Sequence, residues 1–489
     1  MFRLTSFTLP HTVRGAAAAL AARAASTQTA SAAGSSKAKP QVATAEPVTD
    51  LSSEEAIALD NEYGAHNYSP LDVVFSRAKG LNVWDPEGNH YYDFLSAYSA
   101  LNQGHLHPKL VAAAINQTQT LSLSSRAFYN DIFPAFAEKI CQTFDYEAVL
   151  PMNTGAEAVE SALKIARKWA TDVKGVPSGS VQIISACGCF HGRTLGAISM
   201  SCDPDATEGF HPLVPGQLKV DFGDLAGLEA TLAEHGESVG ALLLEPIQGE
   251  AGVVVPPDGY LAAARALCDK HNVLFIADEI QTGIARTGRM LAVDHDNVRP
   301  DIVLLGKALG GGIYPISAVL ADRDVMDVIT PGTHGSTFGG NPLGAAVAIA
   351  ALDVVAEENL AATAQAKGEA FRARFAALRS PLIKTVRGKG LLNAFVMDTE
   401  ALQGASATDL CHMLKDEGVL CKPTHGHIIR LAPPLTITDE EMDDVCERVE
   451  TTLARLEAEI AAGKHPVPQA DPDAPPPRAC ERCGRADGW

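Results

Sequence analysis

Four stretches of this chain carry almost nothing but apolar residues: Val181 to Ala186, Ala241 to Leu244, Val273 to Ala277 and Ile302 to Leu305. Runs of that length without polar alternation read as strands buried on both faces, and a parallel sheet covered by helices on both sides is what hides such strands. Helical segments fall between them, Gly259 to Lys270 among them. The fold class is therefore α/β, with a large, mostly parallel sheet flanked by helices. Further along the character changes. A helix from about Gly344 to Glu358, a strand near Leu391 to Met397 and a stretch bearing Gly and Pro from Gly418 to Leu431 predict a second, smaller α+β domain. Thr438 and Glu441 make a capping box, which opens a last helix through Leu453 and Leu456.

At 489 residues the chain has room for two or three domains, and no stretch approaches the roughly 18 apolar residues that a membrane span needs. Its formal charge is −20, and the first 40 residues hold five cations, Arg3, Arg14, Arg23, Lys37 and Lys39, and no acid, so the remainder is more negative still. Such a surface repels phosphate backbones and anionic lipid, which argues against nucleic acid and membrane as partners. Those same 40 residues are rich in Ala, Ser and Thr, the composition of an organellar transit peptide. A secretory signal would have to rely on Ala16 to Ala22, a weakly apolar segment ended by Arg23. The mitochondrial matrix is the expected location, with the cytoplasm as the alternative. The ten cysteines follow no disulfide framework, which fits a reducing compartment. The final residues hold six prolines and no apolar period, so they read as an extended tail. Its Cys480 and Cys483 supply two of the four ligands a zinc site needs, with no second pair nearby, and no metal is expected.

Chemistry concentrates where apolar strands end. Lys307 follows Ile302 to Leu305 directly after Gly306, and Gly310, Gly311 and Gly312 come soon after. At the carboxyl edge of a parallel sheet an ammonium drawn out of water has a lowered pKa and can form a Schiff base. Asp278 follows Val273 to Ala277 in the same way, with Gln281 just behind. A carboxylate there is often only a helix cap. A lysine holding pyridoxal phosphate, however, needs an acid that keeps the pyridine nitrogen protonated, so the two residues say more together than apart. The third part is Thr154, Gly155, Ala156 and Glu157, a capping box opening a helix with Val159, Ala162, Leu163, Ala166 and Trp169 on one face. The small residues at its start let backbone N–H groups approach a phosphate.

The segments MNTGAEA, CFHGRT, EPIQGEAG, ADEIQTG, LLGKALGGG and HGSTFGGNP, in this order, strongly resemble the class III aminotransferases of fold type I, which use pyridoxal phosphate. The likeness runs from about Leu51 to Leu456. Within that family, YGAHNYSP, FLSAYSALNQGH, SRAFYN and KPTHGHIIRLAPPL look most like the members that act on L-ornithine and 2-oxoglutarate as homodimers. The residue after Phe190 is His191, where some of those members carry tryptophan.

The resemblance implies that Lys307 carries the cofactor, Asp278 pairs with its ring nitrogen and Gln281 approaches its ring hydroxyl. Phe190 would stack on the ring, and Gly155 and Ala156 would cradle the phosphate, joined by Ser336 and Thr337 from a neighbouring subunit. For the substrate it offers Tyr68, Tyr98, Arg193, Glu250 and Arg430, with Arg193 as the fork for the α-carboxylate. The implied reaction moves the δ-amine of ornithine to 2-oxoglutarate, giving glutamate 5-semialdehyde and glutamate. Transfer from N-acetylornithine or 4-aminobutyrate is the nearest alternative, and an aminomutase is a further one. The implied organisation is a transit or disordered segment over 1–40, an N-terminal segment packing with the small domain over 51–99, a cofactor-binding domain over 100–345, a small domain over 346–463 and a disordered tail over 464–489.

Overall fold

Apolar strands on both sides of a sheet need helices above and below, and that requirement organises the chain. A computed structural model describes residues 49–465. The segment 1–40 read as a transit sequence, and Cys480 and Cys483 of the tail, lie outside them. The first strands are a short antiparallel ribbon of β1 (Arg77–Lys79), β2 (Asn82–Trp84) and β3 (His90–Asp93). The large sheet follows: β4 (Ala148–Met152), β5 (Gln182–Ala186), β6 (Gln217–Val220), β7 (Val239–Leu244), β8 (Leu274–Asp278), β9 (Ile302–Leu305) and β10 (Ser317–Ala321). Their spatial order is β4-β10-β9-β8-β7-β5-β6, and only β10 runs against its neighbours.

Successive side chains of β8 point to opposite faces and are buried on both. Leu274 and Ile276 pack with Ala158, Ala162, Ala166 and Trp169 of the helix Gly155–Asp172, while Phe275 and Ala277 join the larger cluster that holds Leu261 and Ala264 of the helix Tyr260–His271. Burying a side chain such as Phe275 contributes about 1.5–3 kcal/mol, so the sheet centre is where stability concentrates. The helix Gly155–Asp172 begins on a capping box: Thr154 Oγ1 accepts from Glu157 N at 3.2 Å, and Glu157 Oε2 accepts from Thr154 N at 2.8 Å.

A third, antiparallel sheet is built later in the chain from β11 (Ile383–Lys389) and β12 (Leu392–Met397), with β14 (Lys422–Thr424) and β15 (Ile428–Leu431), in the order β11-β12-β15-β14. Between them β13 (Val419–Leu420) leaves this sheet and pairs in parallel with β3, Val419 opposite Tyr92. The contact is reinforced by the last long helix, Asp439–Ala461, whose Asp444 accepts from the Tyr92 hydroxyl at 2.9 Å. Near the centre Arg286 is fully buried, donating to Asn102 Oδ1 and to the carbonyls of Leu391 and Pro433. One side chain thus binds three segments far apart in sequence. Among the described residues no helix is long and apolar enough to cross a membrane, and the eight cysteines form no disulfide.

Candidate active site

The carboxyl edge of the parallel strands gathers the polar groups. Asp278 is the last residue of β8, and Lys307 stands just beyond β9. Glu245 follows β7, Phe190 and His191 lie beyond β5, and Thr154 to Ala156 follow β4. A cavity of about 190 Å³ opens there, walled by Gly155, Ala156, Phe190, Asp278, Gln281 and Lys307, with His191 and Glu245 behind them. A second cavity of about 730 Å³ shares Phe190 and Lys307 with it and extends past Tyr68, Tyr98, Arg193 and Glu250. Lys307 therefore stands where the two spaces meet.

Asp278 is held from two sides. Its Oδ1 accepts from Ile280 N at 3.1 Å and its Oδ2 lies 2.7 Å from His191 Nδ1, both residues being buried. Burial works against charge on the His191 ring, but the Cys189 sulfur and the Asp278 carboxylate outweigh it and hold the ring well above the ordinary imidazole range. Glu245 accepts from Phe190 N at 2.9 Å and Gly249 N at 3.1 Å, and burial pushes its carboxyl up to about 7. Burial likewise pushes the Lys307 ammonium down, although Glu250, Asp278 and Glu245 pull the other way. A lowered amine pKa leaves more of the free base, the form that attacks a carbonyl.

These walls suit pyridoxal phosphate. The N–H groups of Gly155 and Ala156 stand in the first turn of a long helix, where backbone donors have no partner within the helix, and they make no hydrogen bond among the described residues. They offer a phosphate seat at one end of the cavity, Asp278 an acid for a ring nitrogen, Lys307 an amine for an aldehyde, and Phe190 an aromatic face. A side chain at position 155 would press on Ile280, its Cβ falling 3.1 Å from that residue's methyl carbons, so the close seat depends on glycine. Ser336 and Thr337 line neither cavity. Ser336 Oγ accepts from Asn153 Nδ2 at 3.0 Å, and the loop before it is pinned by His334, set between Ser161 Oγ at 3.0 Å and Lys164 Nζ at 2.7 Å.

Arg430 lines neither cavity; it stands behind Glu250, a wall residue of the larger one, with Nη1 2.7 Å from Glu250 Oε1. The contact is one of charge more than of direction, because Nη1 and Nε are both buried without a directed hydrogen-bond acceptor. Burial works to raise the Glu250 carboxyl, but Arg430 and Lys307 hold it below the ordinary range. Arg430 also sits over the Tyr98 ring, 4.9 Å from its centroid. Gln281 closes the circuit, Nε2 donating to the Tyr98 carbonyl at 3.3 Å and to Glu250 Oε1 at 3.4 Å. Tyr98 belongs to a turn in which Ser96, Ala97, Tyr98 and Ser99 all have φ between 46° and 72°, four left-handed residues in succession and none of them glycine. Arg193 is exposed, its guanidinium 5.4 Å from the Phe190 ring centroid. Sequence reasoning did not single out His191 as the support of Asp278, nor Glu245, Asn67 or Asp205 as wall residues. The first pair is 87 positions apart, and no local pattern joins them.

The aminotransferase class-III family description matches residues 63–453. The mitochondrial ornithine aminotransferase of Oryza sativa is 56% identical over 442 residues, 89% of this chain and 92% of that one. The ornithine aminotransferase of Toxoplasma gondii, in a structure with partial occupancy of PLP at the active site, is 49% identical with a TM-score of 0.80, over 83% of this chain and 95% of that one. The acetylornithine aminotransferase of Elizabethkingia anophelis is 50% identical with a TM-score of 0.75, over 83% of this chain and 100% of that one.

Proposed function

The chain belongs to the class-III aminotransferases, and from that premise we propose that it moves the δ-amino group of L-ornithine to 2-oxoglutarate with pyridoxal phosphate as cofactor. Pyridoxal phosphate, when bound, supplies a ring that accepts the electron pair left behind when a proton leaves the carbon bearing the amine. The protein's part is placement and proton handling. Gly155 and Ala156 bind the phosphate through their N–H groups, and Phe190 covers one face of the ring. Asp278, oriented by His191 and the Ile280 N–H, holds a proton on the ring nitrogen. Lys307 would hold the cofactor until the substrate amine takes its place, and the freed Nζ would then carry the proton from the substrate's δ-carbon to the cofactor carbon that bore the aldehyde. Arg193, with Tyr68 and Tyr98, receives the α-carboxylate end in the larger cavity.

The observation that carries this reading is the contact between Arg430 and Glu250 beside Lys307. Ornithine must react through its terminal amine, whereas 2-oxoglutarate must react at the carbon next to a carboxylate. An open arginine beside the cofactor would take the α-carboxylate of ornithine and present the wrong amine. Glu250 masks Arg430 while ornithine reacts, and the carboxylate of the amino acceptor, 2-oxoglutarate, displaces it. Ser336 and Thr337 of a second copy complete the phosphate seat, making the enzyme a homodimer. The segment 1–40 directs the chain to the mitochondrial matrix, which an import assay with and without those residues tests.

The deciding experiment incubates the purified protein and 2-oxoglutarate with ornithine, N-acetylornithine or 4-aminobutyrate. Glutamate 5-semialdehyde and glutamate form from ornithine with the highest kcat/KM. Preference for N-acetylornithine would overturn the substrate assignment, and turnover without any 2-oxo acid would point to an aminomutase.

A further inference from the structure

The turn that carries Tyr98 to the wall of the larger cavity is not held by its own side chains. Ser96, Ala97, Tyr98 and Ser99 are left-handed in succession, a conformation that costs each non-glycine residue free energy and persists only where surrounding groups impose it. The Ser96 and Ser99 hydroxyls are buried without a hydrogen-bond partner among the described residues, so neither caps the turn. Within it Tyr98 N donates to the Leu95 carbonyl at 3.0 Å, and Ala100 N to the Ser96 carbonyl at 2.9 Å. Those bonds close the turn but do not fix where it points.

Its direction is set at the entrance by Asp93, the last residue of β3, which is buried and lines neither cavity. Asp93 Oδ1 accepts from Leu95 N at 3.0 Å and from Ser96 N at 2.8 Å, the two donors that lead into the left-handed run. A carboxylate is a stronger acceptor for such N–H groups than a neutral oxygen. Oδ2 lies 2.9 Å from His105 Nε2, which fixes the rotation of the carboxylate. The backbone around it is tied as well: Asp93 N donates to the Leu81 carbonyl and Phe94 N to the Leu420 carbonyl, both at 2.9 Å, and the Phe94 carbonyl accepts from Ala432 N at 2.7 Å. Ala432 follows closely on Arg430, whose guanidinium lies over the Tyr98 ring. The base of the turn and the strand that carries Arg430 thus share one anchor.

We propose that Asp93, held by His105, is a positioning residue for the amino donor: it fixes the left-handed turn so that the Tyr98 hydroxyl meets the far end of ornithine, and it sets donor selectivity through Tyr98. The proposal rests on the ornithine reading above and deepens it. 4-Aminobutyrate is one carbon shorter and lacks the α-amine, so it stops short of the end that Tyr98 serves and gains little from the placement of the turn. Asp93 has a structural task too: burial pushes the Arg286 guanidinium down to about 9, and the Asp93 carboxylate works against that fall. Loss of that support lowers turnover of every donor alike, whereas loss of the turn's placement lowers the preference between donors.

The test is a double-mutant cycle on the holoenzyme, with the unsubstituted protein, Asp93→Asn, Tyr98→Phe and both substitutions together. It measures kcat/KM for the amino-donor half-reaction with ornithine and with 4-aminobutyrate, and the quantity read is the ratio of the two. Each single substitution lowers that ratio about fivefold, the effect of one misplaced hydrogen bond, and the double substitution lowers it no further than Tyr98→Phe alone. A ratio in Asp93→Asn within about twofold of the unsubstituted enzyme, or a double variant in which the two losses multiply, overturns the role of Asp93. If Asp93→Asn yields no folded protein, His105→Leu takes its place in the cycle. It releases Oδ2, leaves Oδ1 on both backbone donors and lowers the ratio about twofold to threefold; an unchanged ratio there overturns the proposal equally. A Tyr98→Phe ratio equal to that of the unsubstituted enzyme removes the route through Tyr98 while ornithine turnover stands. Absence of ornithine turnover in the unsubstituted enzyme overturns the functional reading and the role of Asp93 with it, and is seen before any variant is compared.

Discussion

Replacing Glu250 by Gln removes the charge that masks Arg430 and keeps the size and one oxygen of the side chain. The Nη1 to Oε1 distance of 2.7 Å puts the two charge centres roughly 4 Å apart. At an effective dielectric of about 20 that is an attraction of about 4 kcal/mol before desolvation is subtracted. Two features reduce the net effect: the Glu250 side chain is 28% exposed, and the contact lacks a directed hydrogen bond. We take about 1.5–3 kcal/mol as the masking that is lost, which is roughly a 10- to 100-fold rise in the ratio of α- to δ-transfer from ornithine. A single-turnover experiment with cofactor-loaded Glu250→Gln and ornithine, separating glutamate 5-semialdehyde from 5-amino-2-oxopentanoate, reads that ratio directly. The acid side gives an independent check. Glu250 has its carboxyl held below the ordinary range, so its masking is complete above that range and is lost only as pH falls through the lowered value. The unsubstituted enzyme therefore keeps a flat product ratio through neutral pH, with α-transfer rising only in acid. An α to δ ratio in Glu250→Gln equal to that of the unsubstituted enzyme would refute the masking argument.

Other substitutions test other parts. Lys307→Ala abolishes steady-state transfer and leaves the cofactor removable by gel filtration; measurable turnover in that variant would move the chemistry to another group. Ala97→Gly is expected to leave stability unchanged or raise it by up to about 1 kcal/mol, because an exposed alanine at φ 46° pays about 1–2 kcal/mol that glycine avoids, less the extra freedom of glycine in the unfolded chain. An unfolding free energy from urea titration lowered by more than about 1 kcal/mol contradicts that reading of the turn. Arg286→Met keeps the bulk but strips the donors from Asn102 Oδ1 and the carbonyls of Leu391 and Pro433, costing about 3–5 kcal/mol in denaturant unfolding. A loss below about 1 kcal/mol would mean that water replaces the guanidinium.

Legibility in the sequence followed the range of the force that decides each feature. β9 spans the same Ile302–Leu305 that the apolar run marks, and the capping boxes at Thr154 and Thr438 form as their spacing predicts, because each is settled within a few residues. Asp278 and Lys307 could be placed at strand ends for the same reason. The pairing of β13 with β3 could not, since it joins Val419 to Tyr92 across most of the chain. Nor could the reversal of β10, whose apolar sequence is as acceptable in one direction as in the other. The left-handed turn at Ser96–Ser99 runs against local preference: no glycine announces it, and it is imposed from outside, in part by the Gln281 amide on the Tyr98 carbonyl. His191 and Asp205 carry chemistry-bearing side chains, but what they face is set by loops returning from other strands.

The buried Arg286 also bears on the order of events as the chain is made. Its acceptors come from Asn102, long since synthesised when Arg286 emerges, and from Leu391 and Pro433, which follow much later. Until they arrive, the guanidinium must stay hydrated, and the surface around it must stay open. Closure of the central region therefore waits for the last third of the polypeptide. A chain broken off before Pro433 lacks one of the carbonyls that let this cation leave water, so an unfinished product keeps a wet, uncompleted interior, the condition by which proteases recognise it.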